Sequence, residues 1–159
     1  MDDITIHVAG SSLYNVNGLN PSGFGAYLSC GNYNKKISVG FKHSNTYRME
    51  LRAVIHALSL IKKRSNVVVY CRNNNVVNLL AKDWLKIRVD KNRQGKKLNL
   101  DLWLELYLLC DKHNIQMFGL DSDDYKYKVV SRLAKQSAND FTNHVVDEKV
   151  QLNGNYEMA

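Results

Sequence analysis

Ile4-Thr5-Ile6-His7-Val8-Ala9-Gly10-Ser11 places an apolar side chain at every second position and then breaks on a glycine. A period of two is that of a strand with one buried face. Outward from it, a Gly- and Asn-rich connection from Gly10 to Gly23, holding the only proline, Pro21, leads into Gly25-Ala26-Tyr27-Leu28-Ser29-Cys30, which reads as a second strand. Gly31-Asn32-Tyr33-Asn34 is turn chemistry, and alternation resumes at Ile37, Val39 and Phe41. Strands two and three are therefore expected to form an antiparallel hairpin.

From Tyr47 to Lys63 the period changes: Leu51, Val54, Ile55, Leu58 and Ile61 recur at helical spacing before the basic end Lys62-Lys63-Arg64. Val67-Val68-Val69-Tyr70-Cys71 is a short apolar run of the buried-strand type. Asn73 is placed to cap a helix through Val76, Val77, Leu80 and Trp84, and Asn99 another with Leu102, Trp103, Leu106 and Leu109 on one side. Ile115, Met117 and Leu120 suggest a last strand. Val129 and Leu133, followed by Phe141, Val145 and Val146, suggest a terminal helix. Three strands followed by alternating helix and strand predict an α/β domain with a mixed five-stranded sheet. The pattern predicts one domain over residues 1–152 and a loose tail over 153–159.

At 159 residues and 45% hydrophobic side chains, the chain is large enough to bury a core without staples. The formal charge of +7 favours a polyanionic partner. No apolar run approaches the roughly 20 residues that span a bilayer, and no basic-then-apolar leader opens the sequence. An intracellular protein, cytoplasmic or nuclear and not secreted, is expected. Cys30, Cys71 and Cys110 lie far apart in apolar surroundings, and the five histidines are scattered, without zinc-type spacing. Reduced core thiols and scaffolding imidazoles are the expectation.

Val8-Ala9-Gly10-Ser11 and Arg48-Met49-Glu50-Leu51 resemble the two opening motifs of type I ribonuclease H of the bacterial and retroviral kind, which read Asp-Gly-Ser and Arg-Met-Glu-Leu. The order of elements is similar along essentially the whole chain. The resemblance implies a ribonuclease H-like fold, and an ancestry among enzymes that cut RNA in RNA/DNA hybrids with two magnesium ions held by four carboxylates. Carried over by residue, the first carboxylate falls on Ala9 and the second on Glu50. The third falls on Asn73, with Arg72 as the other possibility in Cys71-Arg72-Asn73-Asn74, and the fourth on Ser131; a histidine of the family falls near Asp121. Magnesium takes oxygen ligands, and two adjacent ions need several anions around them. Glu50 alone supplies too few, so the expectation is a catalytically degenerate member with no cofactor. The rival is an active magnesium or manganese enzyme in which Asp121, Asp123 and Asp124 supply displaced ligands beside Glu50.

Binding features survive in the sequence. Lys82, Lys86, Arg88, Lys91, Arg93, Lys96 and Lys97 stand against Asp83 and Asp90, seven positive and two negative, a local +5 out of the formal +7. The segment resembles the basic protrusion with which members of the family grip a hybrid; the plainer reading is a solvated face. Gly23-Phe24-Gly25-Ala26 is similar to the family's Gly-Tyr-Gly-Ala, after a loop in which Asn15, Asn17 and Asn20 are candidates for contacts near 2′-hydroxyls. Asn45, Thr46 and Arg48 precede Glu50 where the family has a phosphate pocket, although a structural role for Arg48 is equally open. Arg72 offers a guanidinium where metal would otherwise neutralise a phosphate. The expected partner is nucleic acid, an RNA/DNA hybrid or double-stranded RNA; the alternative is a protein-interaction scaffold in a nucleic-acid-processing complex. No membrane association is expected.

Overall fold

A computed structural model describes residues 1–81, 86 and 99–147. In chain order these form β1 (Asp2–Ser12), β2 (Ser22–Cys30), β3 (Tyr33–Phe41), α1 (Thr46–Ser59), β4 (Ser65–Cys71), α2 (Asn74–Ala81), α3 (Leu100–Lys112), β5 (Asn114–Gly119) and α4 (Tyr125–Asn139). The strands make one sheet in the order β3-β2-β1-β4-β5. β1, β2 and β3 are antiparallel neighbours, whereas β4 runs parallel to both β1 and β5. Among the described residues no helix is long and apolar enough to cross a membrane.

The two faces of the sheet are built differently. Ile4, Ile6 and Val8 of β1, with Phe24, Ala26 and Leu28 of β2, are buried in one cluster with Met49, Ala53 and Ala57 of α1. α3 adds a second helical layer through Leu102, Trp103 and Leu106, and the Trp103 indole N–H donates to the Tyr47 hydroxyl at 3.0 Å. On the opposite face α4 lies across β1, β2 and β3. It rests there on glycines: a methyl at Gly23 would stand 2.6 Å from the Ala134 carbonyl oxygen, and one at Gly25 would strike that of Val130. The glycines of Gly23-Phe24-Gly25 thus serve close helix approach within a strand, not only a turn. Gly25→Ala is expected to lower stability by about 2 kcal/mol, the ordinary cost of overpacking, measured by urea unfolding.

The connection expected from Gly10 to Gly23 is shorter than its sequence suggests. β1 continues through Gly10, Ser11 and Ser12, paired with Phe24, Gly23 and Ser22. Beyond it, Val16 and Leu19 close a tight hairpin around Asn17-Gly18, both at positive φ (54° and 84°), the Asn-Gly signature of a two-residue turn. α1 ends at Ser59 and not at Lys63, because Leu60 and Ile61 N–H groups turn back to the Ala57 and Leu58 carbonyls. Asn99 occupies the cap position of α3 in the left-handed conformation (φ 64°) but makes no side-chain capping bond. The terminal helix stops at Asn139, since the Asp140 carboxylate accepts from Thr142 and Asn143 and rounds the chain into a single 3-10 turn. Phe141, Val145 and Val146 are accordingly exposed and off the helix, with Val145 bridged to Phe41. Cys71 is buried, but Cys30 and Cys110 are only half-buried; all three are free thiols. Trp84 and the tail expected over 153–159 lie outside the described residues.

Candidate nucleic-acid site at the ends of the parallel strands

β1 and β4 pair in parallel with His7 opposite Tyr70. The paired ladder ends there, and Ala9 and Arg72 beyond it both approach Tyr127 of α4. Ala9 is 4% exposed, and its methyl packs with Val130 and Ala134 of α4, flanked by half-buried Tyr27 and Tyr127. Arg72 is exposed: its guanidinium carbon lies 5.2 Å from the centre of the Tyr127 ring, and Nη1 reaches the Tyr127 hydroxyl at 3.4 Å. Asn73 is at the site as well, its side chain hydrogen-bonding the Glu50 carboxyl, and it also opens the next helix. Its Oδ1 accepts from the Asn75 N–H at 2.9 Å, and its carbonyl accepts from Val76 and Val77, opening α2. Both positions the sequence left open lie at the site, Arg72 against Tyr127 and Asn73 on the Glu50 carboxyl.

Glu50 reaches this place from the other side of the sheet. Gly10 permits it, because a methyl there would meet the Thr46 carbonyl oxygen at 2.8 Å and Glu50 Cγ at 3.0 Å. The Glu50 side chain is buried, with the residue 7% exposed, and the Cys71 thiol donates to its Oε2 at 3.2 Å. Burial pushes the Glu50 carboxyl up to about 7, against the pull of hydrogen bonds from Cys71 and Asn73 and the charge of Arg72. Burial, and then the neighbouring Glu50, raise the Cys71 thiol well above its ordinary range. No signal in the sequence marks this thiol–carboxyl pair, since its members are 21 residues apart and neither is unusual alone.

The remaining candidates separate. Ser131 is half-buried in the second turn of α4. Asp121, Asp123 and Asp124 are exposed; Asp121 Oδ1 accepts from the Asp123 N–H at 2.9 Å, and the Asp124 carboxylate caps α4 through the Lys126 and Tyr127 N–H groups. Two of these three carboxylates are thus engaged with local backbone. Asn15 is likewise a turn residue, at φ 51°, with its Oδ1 accepting from the Gly18 N–H. Asn45 caps α1 by accepting from the Arg48 N–H at 2.9 Å, while its buried Nδ2 has no protein partner. Thr46 is half-buried at the start of α1.

The phosphate-contact reading of Arg48 is corrected by the structure. Its side chain is 2% exposed, with Nη2 2.7 Å from both Asp101 and Asp147, Nε 2.8 Å from Asp147, and Nη1 donating to Asn99 and Asp101. With its donors spent inside the protein, Arg48 cannot also hold a phosphate. Asp147, which also takes Arg52 and Ser44, had no signal in the sequence. Of the basic segment, Lys86 is helical and exposed, whereas Lys82, Arg88, Lys91, Arg93, Lys96 and Lys97 lie outside the described residues. A cation the sequence reading missed is Lys126, whose Nζ lies 5.5 Å from the centre of the Tyr27 ring. Burial, and next Lys126, lower the pKa of nearby His7.

The family model for RNase H matches residues 1–121. Ribonuclease HI of Haemophilus ducreyi is 34% identical over 148 residues, covering 89% of this chain and 94% of that protein. This chain belongs to the ribonuclease H family. Among solved structures, LC9-RNase H1, described as a type 1 RNase H with the type 2 active-site motif, superposes with a TM-score of 0.75 at 20% identity over 87% of this chain and 72% of that one. LC11-RNase H1, solved in complex with RNA/DNA hybrid, gives 0.61 at 12% identity, covering 87% and 99%. Both likenesses establish the ribonuclease H fold.

The divalent ions that a ribonuclease H implies do not fit the residues present. A methyl at Ala9, a carboxamide at Asn73, a hydroxyl at Ser131 and a carboxyl at Glu50 engaged by a thiol make one anionic ligand at most, beside the Arg72 cation. Among the described residues no group of three or more His, Cys, Asp or Glu side chains is placed to hold a metal ion.

Proposed function

We propose that this ribonuclease H family member binds an RNA-containing duplex, RNA/DNA hybrid or double-stranded RNA, through phosphate and A-form shape, and does not cleave it by metal-dependent hydrolysis. One observation carries the reading: an exposed guanidinium, Arg72, lies against Tyr127, which also flanks Ala9, at a site where the family resemblance expects metal-binding carboxylates at Ala9 and Asn73. A fixed cation there supplies the charge that a metal would otherwise offer a phosphate, with five donors in a planar fork suited to two of its oxygens. It provides no activated water. The local +5 of residues 82–97 and the overall +7 support the same polyanionic partner. The name of the related LC11 complex supports hybrid as the first duplex to try.

The test is an anisotropy titration of labelled hybrid, double-stranded RNA and double-stranded DNA across a salt series, with cleavage assayed in magnesium and in manganese. Affinity is expected to fall linearly on a log–log salt plot, with no cut product in either metal. Arg72→Ala should weaken binding of all sequences alike and reduce the salt slope by about one phosphate contact. Salt-independent affinity, or retention of a stable protein partner without nucleic acid, overturns the reading. So does metal-dependent cleavage lost in Glu50→Gln, which would establish the active enzyme.

A further inference from the structure

α4 covers β1, β2 and β3 on its face of the sheet and leaves the same face of β4 and β5 uncovered by any described element. The parallel register places His7, Tyr70 and Phe118 in one row across that face. Their rings form a graded stack: the buried His7 imidazole lies 4.8 Å from the Tyr70 ring at 20°, and Tyr70 lies 6.0 Å from Phe118 at 34°. Phe118 ends the row on the edge strand and is 47% exposed. His7 and Tyr70 brace it from the sheet side. Beyond the edge nothing described covers it.

Three further features say what such a row would take. Arg72 follows Tyr70 by two residues, just past the end of β4, so an exposed cation lies to one side of the row, at the C-terminal ends of the parallel strands. On the other side, back along β4 and β5, a shallow hollow of about 400 Å³ is bordered by the amides of Asn66, Asn114 and Gln116. Asn114 Nδ2 donates to Asn66 Oδ1 at 3.0 Å, and Asn66 Nδ2 donates to Asp3 Oδ1 at 3.2 Å. A phosphate-sized cation site, then aromatic faces, then amides able to meet polar base edges is the order of chemistry in a strand of unpaired nucleotides. The carboxylates nearby lie at the margins, Asp3 beyond the amides and Asp121 beside Arg72.

We propose that the uncovered face of β4 and β5 is a stacking platform for single-stranded nucleic acid that runs off the duplex at Arg72, with Phe118 as the ring on which a base stacks. The inference rests on the duplex-binding reading above and extends it from the duplex to its unpaired end. The partner it implies is a hybrid or RNA duplex with a single-stranded overhang rather than a blunt one.

The experiment compares a short blunt RNA/DNA hybrid, the same hybrid with an oligothymidine overhang at either end, and oligothymidine alone, each titrated against the whole chain and against Phe118→Ala and Phe118→Trp. Phe118 is exposed, and unchanged thermal unfolding of the variants verifies that they fold. The overhang is expected to tighten binding by about fivefold or more, the contribution of one stacked base. Phe118→Ala should abolish that gain while leaving blunt hybrid unaffected, and Phe118→Trp should keep it. Equal affinity for blunt and overhanging hybrid, or a gain that survives Phe118→Ala, overturns the platform and leaves the duplex reading standing. Phe118-dependent binding of oligothymidine with no hybrid binding does the opposite. Failure of every probe to bind overturns both.

Discussion

Arg48→Ala is expected to lower unfolding stability by about 3 kcal/mol, read as a fall in the urea midpoint with an unchanged slope. The guanidinium is enclosed, and its removal leaves the buried Asp147 carboxylate short of two charge-assisted hydrogen bonds and Asp101 of two more. The value lies at the low end for breaking a buried pair, because Arg52 and Ser44 remain on Asp147. Arg48→Lys should not restore it, since one ammonium cannot span two carboxylates that the planar fork holds together. Although burial alone would raise the pKa of Asp147, hydrogen bonds from Arg48, Arg52 and Ser44 hold it well below the ordinary carboxylate range. A depressed folded pKa stabilises above the unfolded value, near pH 4, and that contribution is lost as pH falls further. The wild-type acid limb should therefore be steep below about pH 4, and the Arg48→Ala limb shallower.

Glu50→Gln has the opposite sign. A carboxyl raised from 4.5 to about 7 by burial holds its proton more tightly in the folded chain than in the unfolded one. Its stabilising contribution is complete below the unfolded value and is lost as pH rises through 7. The wild type should thus give up about 3 kcal/mol between roughly pH 4.5 and pH 8 on account of this group alone. The glutamine variant lacks that slope, so it should match the wild type near pH 4.5 and exceed it near pH 8 in thermal or urea melts. Magnesium gives a second arm. A carboxylate that bound the ion would be stabilised by it above pH 7 in the wild type and not in the variant. The expected result is no magnesium effect on either.

The sheet was legible because its signals are local. Alternation at Ile4, Ile6 and Val8 and helical spacing from Leu51 to Leu58 each report one element's own buried face, whereas the apolar run Val67–Cys71, read as a buried strand, buries only Val67, Val69 and Cys71 and leaves Val68 and Tyr70 half-buried on the other face. The strand termini were less legible, because β1 beyond Gly10 is held by pairing with β2, a partner that no single segment names. At the site, the motif positions of Ala9 and Glu50 could be read directly, yet the choice between Arg72 and Asn73 could not. Both follow the end of β4 at Cys71 and both come to the site, one against Tyr127 and the other on Glu50, partners that the local sequence does not name. Arg48 was ambiguous for a related reason. A cation near the start of a helix looks the same in sequence whether it faces a phosphate or an aspartate 99 residues away.

That long reach bears on how the protein comes into being. Arg48 sits in the first half of the chain, and the residue that neutralises it most completely, Asp147, is among the last of those described. A nascent chain has made β1 to β3 and α1 long before that carboxylate leaves the ribosome. Until then it has a guanidinium at the helix interface with only Asp101 and the Asn99 amide oxygen to meet it, and Arg48 stays hydrated or the packing of α1 against α3 stays loose. Final consolidation thus waits for residue 147, and products truncated before it should remain open to proteolysis.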